Sequence, residues 1–142
     1  MSRSAGKVRG EVMQGSMPMI EVASGWAIEV ERGPGSVFIR VKSGESLDPP
    51  EDFAQEILQA VEQHFASRVF LDLRDVQVVG SRLLAHVLEI NRHICQQGGL
   101  LRVYGLNEFN RRVLAISGLD GLIPCYPDRR EAVMAGEPRK PR

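Results

Sequence analysis

Val69–Leu84, VFLDLRDVQVVGSRLL, is the stretch that decides the fold. Its opening residues Val69, Phe70 and Leu71 are apolar without alternation, the pattern of a strand covered on both faces, and Asp72 and Asp75 are read as marking its exit. From Leu83 the spacing turns helical, with Leu84, Val87, Leu88, Asn91 and Ile94 recurring at three and four. The period therefore changes at Gly80 and Ser81. Gly80 tolerates backbone angles that other residues resist, and Ser81 reads as an N-cap whose hydroxyl satisfies a free amide of the first turn. A phosphate on that hydroxyl would sit beside unpaired N–H groups at the positive end of a helix dipole. Ser81 is thus the leading candidate for a functional residue.

Upstream, Trp26, Ile28 and Val30 alternate with Ala27, Glu29 and Glu31, RGPG supplies a turn, and Val37, Ile39 and Val41 alternate with Phe38, Arg40 and Lys42. This predicts a hairpin with one apolar and one polar face. Pro50 and Glu51 open a helix with Phe53, Ile57, Val61 and Phe65 on one stripe, ending near Ser67. Beyond it strands and helices alternate, which requires crossovers and a partly parallel sheet. Residues 1–18 lack periodicity and are expected to be a mobile tail, 19–136 form the folded domain, and 137–142 a basic tail containing proline.

Taken in order, these segments resemble the STAS domains of anti-sigma factor antagonists and sulfate transporters. The family pattern is a hydrophobic strand ending in Asp-Leu, then Asp-Ser-Ser/Thr-Gly-Leu opening a helix, and LDLRDVQVVGSRLL occupies that place. QQGGLLRVYGL is similar to the glycine-led next strand, NEFNRRVLAISGLDGLIPCY to the following helix with its Gly-Leu ending and last short strand, and SGESLD to the family's Gly-Glu-Leu-Asp turn. The chain departs from the signature at Gly80, Arg82 and Leu83, where the family has aspartate, a second hydroxyl and glycine.

The resemblance implies an α/β fold with a mixed sheet of about five strands and about four helices. It implies a cytoplasmic signalling protein acting on transcription. Its partner would be an anti-sigma factor that is also a serine kinase, bound through the N-terminal end of the Ser81 helix. That partner would bring the ATP, so no cofactor is expected in this chain. Ser81 would be the phosphorylation site, and Gly80, Arg82, Leu83 and His86, with Asp48 and Asp72 as neighbours, would form the contact surface. Two alternatives stay open: a constitutive adaptor or scaffold of a larger signalling or lipid-transport assembly, and a small-ligand or nucleotide sensor.

Composition narrows the remaining classes. A chain of 142 residues, 43% hydrophobic and 25% charged, has the size and make-up of one soluble domain. No apolar run is long enough for a membrane span, and a formal net charge of zero without a basic face argues against a nucleic-acid partner. Cys95 and Cys125 are too few for a disulfide framework and read as reduced, small, partly buried residues. Arg82, His86, Glu89 and His93 share a helix stripe opposite the apolar one, which reads as a solvated face for partner contact rather than a metal site. RGPGS and SAGKVRG lack the residues of a phosphate-binding loop, and hydrolase and metalloprotease motifs are absent, so no enzyme is expected.

Overall fold

The computed structural model describes residues 11–14, 17–23 and 25–135. One seven-stranded sheet runs in chain order, β1 (Glu11–Gln14), β2 (Met17–Ala23), β3 (Trp26–Gly33), β4 (Ser36–Lys42), β5 (Arg68–Asp75), β6 (Leu100–Tyr104) and β7 (Cys125–Tyr126). The first four strands are antiparallel, and β4 to β7 are parallel. Helices α1 (Phe53–Gln63), α2 (Ser81–Gln96) and α3 (Glu108–Ser117) make the three crossovers, and α4 (Arg129–Met134) follows β7. Because each parallel strand is laid down on the same side of its predecessor, right-handed crossovers must put α1, α2 and α3 on one face.

That face carries the main core. Ile28, Val30, Val37, Ile39, Val69, Leu71, Leu73, Leu101 and Val103 project from alternate strand positions and pack against Phe53, Ile57, Leu83, Val87, Ile90 and Leu114 of the helices. Phe70 points the other way, into a small cluster with Tyr104 and with Ala132 of α4. Both faces of β5 are therefore covered at this point, as its unbroken apolar run predicts. Most of that second face is charged: Lys42 pairs with Glu29, Arg40 with Asp75, Arg74 with Asp72 and Arg129 with Glu31.

The hairpin β3–β4 and the alternation of strands and helices agree with the sequence, and β3 to β7 are the five expected strands. The sheet starts earlier than expected, since β1 and β2 lie in or next to the span read as a tail. Pairing of Met19 with Glu29 and Ile20 with Ile28 satisfies the outer backbone edge of β3, a tertiary demand that local periodicity does not record. Residues 1–10 and the C-terminal 137–142 lie outside the described residues. Helix α1 also differs at its end: it stops at Gln63, and Phe65 leaves the stripe with a positive φ of 50° and 91% exposure. Asp72 lies inside β5, and only Asp75 marks its exit.

The loop from β5 to α2 is fixed from the side by α3. Asn107 caps α3 by accepting from the Asn110 amide at 2.8 Å, and its own amide group donates to the Gln77 carbonyl at 3.1 Å. Asn110, fully buried, accepts from the Val79 amide at 2.9 Å and donates to the carbonyls of Val76 and Gln77. Asn110→Ala would leave the Val79 N–H and the Val76 carbonyl unpaired, while Asn107 keeps its bond to Gln77, so a loss of about 3 kcal/mol is expected by chemical denaturation. Exchange of the Val79 amide should accelerate with it; unchanged exchange would mean that the loop is held by something else.

On the opposite face α4 is tied to β3. Arg129 donates to both Glu31 carboxylate oxygens, at 2.9 and 3.0 Å, while its guanidinium lies 3.9 Å from the Phe38 ring centre. The hydrogen bond from Arg129 holds the Glu31 carboxyl below its ordinary value, its charge adding to the effect and burial opposing it. A carboxyl lowered in the fold contributes stability that is full above its unfolded pKa and fades as pH falls through the folded one. Glu31→Gln should therefore lower the thermal midpoint at neutral pH, with the two proteins converging as pH drops below the usual carboxylate range. A gap that stays constant throughout would show that the charge contributes nothing.

Candidate functional site

The site is built where β5 ends and α2 begins. Gly80, extended at φ −89° and ψ 179°, is the N-cap, and its carbonyl accepts the first helical bond from Leu84 at 3.0 Å. Ser81 is thus the first helical residue rather than the cap, and among the described residues no side chain caps this end. The reason lies in the preceding loop: held by Asn110, it delivers an extended backbone through Val79 and Gly80, so the turn closes on the glycine. Ser81 is exposed, and its hydroxyl stands at the start of the first turn without a capping task.

Arg82 is exposed too, with its Nε 3.8 Å from Asp48 in the loop between β4 and α1. That loop is pinned by Trp26, whose indole N–H donates to the Ser46 carbonyl at 3.0 Å. Gly80, Ser81, Arg82 and Asp48 therefore come together on one surface. Leu83 does not join them, because it is 1% exposed and packs in the main core. His86 is turned inward rather than solvated: its ring meets Phe53 edge-on at 5.6 Å, and its Nδ1 is buried with no hydrogen-bond partner among the described residues. The apolar stripe explains both corrections, since Leu83, Val87, Ile90 and Ile94 face the sheet and His86 falls on the flank that meets α1.

Asp72 is also elsewhere. It lies between Leu71 and Leu73 in β5, so the pleat aims it at the opposite sheet face, where Arg74 donates to it at 2.7 Å. Glu89 is exposed and His93 half-buried, and among the described residues no group of metal-ligating side chains is close enough to hold an ion. Cys95 is more exposed than expected, whereas Cys125 is half-buried in β7. Among the described residues no helix is long and apolar enough to cross a membrane.

Three exposed apolar side chains sit on the elements that meet here: Leu47 beside Asp48, Val78 before Val79 and Gly80, and Phe109 in the first turn of α3. The asparagine bonds from α3 to Gln77 and Val79 bring Phe109 to the same end of the domain as Val78. Phe109 is 57% and Leu47 71% exposed, areas that water disfavours and a partner would cover. Sequence reading does not single these residues out. The one available signal was Phe109, since a large apolar residue directly after a capping asparagine and a glutamate falls on the outer side of the first turn.

The comparisons with known proteins agree with this architecture. Residues 29–124 match a family model described as the Mlab, STAS domain. An anti-sigma F factor antagonist of Paenibacillus polymyxa is 28% identical over 107 residues, covering 75% of this chain and 91% of the relative. In fold, the chain is similar to an anti-sigma factor antagonist from Mycobacterium paratuberculosis, with a TM-score of 0.65, 22% identity and coverage of 81% and 97% of the two chains. It is similar also to the Bacillus cell fate determinant SpoIIAA in its phosphorylated form, with a TM-score of 0.55, 18% identity and coverage of 78% and 99%. With a parallel run of β4 to β7, three helices on one face and a family match over well over half of its length, the chain belongs to the STAS domain family.

Proposed function

We propose that this chain is an anti-sigma factor antagonist-like signalling protein that binds an anti-sigma factor with serine kinase activity through the N-terminal end of α2. Phosphorylation of Ser81 switches that binding off. The observation that carries this reading is the exposed Ser81 hydroxyl at the first position of α2, without a capping bond to account for it. Leu47, Val78 and Phe109 supply apolar contact around it, and Arg82 and Asp48 supply charge. The likeness to an anti-sigma F factor antagonist and to a phosphorylated SpoIIAA supports the same reading. A phosphate would add about two negative charges in the middle of this surface, weakening an interface by repulsion and by the cost of desolvation.

A constitutive adaptor without a switch is the second reading, favoured by Arg82 and Leu83 standing where the family pattern has a hydroxyl and a glycine. Ser81→Glu separates the two. A pull-down from native lysate with wild type and Ser81→Glu, read by mass spectrometry, should show an ATPase-type kinase retained by wild type and lost with the variant. Phosphate on Ser81 should appear after incubation of the retained fraction with ATP. The switch is wrong if both proteins keep the same partners and Ser81 stays unmodified. Ser81→Ala should change stability by less than about 0.5 kcal/mol, because no cap is lost. A loss near 1 kcal/mol, the usual cost of removing a cap, would return Ser81 to a structural role.

A further inference from the structure

The charged face of the sheet carries a recess at the C-terminal ends of β5 and β6, with a volume of about 330 Å³. Tyr104 and Gly105 line it from β6, Arg74 from β5, and Asp128, Arg129 and Arg130 from the start of α4. The acids near it are already engaged. Asp72 is held through both oxygens by Arg74, Glu31 through both by Arg129, and Asp128 accepts from the Glu131 amide at 2.9 Å. Two donors are not engaged: neither the Arg130 guanidinium nor the Tyr104 hydroxyl has a hydrogen bond or ion pair among the described residues. Tyr104 is 3% exposed, so its hydroxyl has little other than the recess to meet. Burial, and then the Asp72 charge, push its pKa up to about 12, which keeps it a donor at neutral pH.

Gly105 fits the same arrangement. It has a φ of +85°, and a Cβ there would come within 3.0 Å of the Asp72 carboxylate and 3.3 Å of Arg74. A glycine is what lets the Asp72–Arg74 pair close against the strand end, and with it the wall of the recess.

We infer that this recess is a binding site for a small oxyanion, a carboxylate or a phosphate group on a compact organic body, received by the Tyr104 hydroxyl and the Arg130 guanidinium. An aromatic wall with a few convergent donors is the usual construction of a small-ligand site, and the volume is at the lower end of the usual range of about 300–1,000 Å³. Charge-assisted hydrogen bonds from arginine suit either group. The site lies on the opposite sheet face from Ser81 and does not depend on the reading of that residue.

The test is a titration of the whole chain, followed by amide chemical shifts, with inorganic phosphate and separately with acetate, against chloride at matched ionic strength. Saturable shifts at Gly105 and at residues 128–130 are expected with at least one of the two anions and not with chloride. Saturation by phosphate alone assigns a phosphate ligand, and by acetate alone a carboxylate. Tyr104→Phe keeps the ring and Arg130→Gln alters an exposed side chain, so both variants should fold and each should bind about tenfold more weakly. Shifts that do not saturate with either anion, or variants that bind as wild type does, would overturn the site.

Discussion

The position of Ser81 rests on one buried side chain. Asn110 reaches from α3 to three backbone groups of the loop between β5 and α2, so the last strand-to-helix turn before Ser81 is held by an element thirty residues later in the chain. A loop of this kind would otherwise carry buried polar groups with nowhere to bond. Because the Asn110 carboxamide offers both an acceptor and two donors, it satisfies a loop whose amide and carbonyls point in different directions. With the Asn107 bond to Gln77, these contacts bring Phe109 to the end of the domain where Ser81 stands. One asparagine thus sets the backbone of the site and the neighbouring apolar surface together.

The rest of the layout follows from the order of the strands. Strands β4 to β7 are added in one direction, so the crossovers accumulate on one face and, among the described residues, leave the other with α4 alone. The covered face buries aliphatic residues, and the other is built from ion pairs around a small aromatic cluster. This division gives the domain two chemically different faces at the same strand ends. Ser81 lies on the helical side, and the Tyr104 recess lies on the charged side.

Much of this was legible in the sequence. Val69, Phe70 and Leu71 read correctly as doubly covered, because a strand contacted on both sides has no reason to alternate. The change of period at Gly80 and Ser81 placed the start of α2, since helical spacing begins where the helix does. Part of what failed depended on partners distant in sequence, and part on which side of a strand or helix a residue faces. Ser81 resembles a cap by residue type, yet the backbone that Asn110 imposes makes Gly80 the cap. Asp72 looked like an exit from β5, but its neighbour Arg74 and the polar sheet face admit a carboxylate inside the strand. Leu83 and His86 were misplaced by one notch of the helical wheel, as the stripe runs through 83, 87, 90 and 94 rather than through 84 and 88. Strand β2 is set by the edge of β3 and β1 by the edge of β2, which no local pattern announces.

The departures from the family signature gain a physical meaning from this geometry. A Cβ at Gly80 would meet nothing within 4 Å, so the fold does not require glycine there and would accept the aspartate of the family pattern. Leu83 is different, because its side chain fills the core and a glycine in its place would leave a cavity. The two changes therefore act on different levels: position 83 contributes to packing, while position 80 alters only the surface beside Ser81. Arg82 adds a positive charge next to the hydroxyl where the pattern has a neutral residue. In the proposed switch, that charge would offset part of a phosphate's repulsion and shift discrimination toward the apolar rim of Leu47, Val78 and Phe109, whose burial a charged and strongly hydrated group at the centre of the interface would oppose.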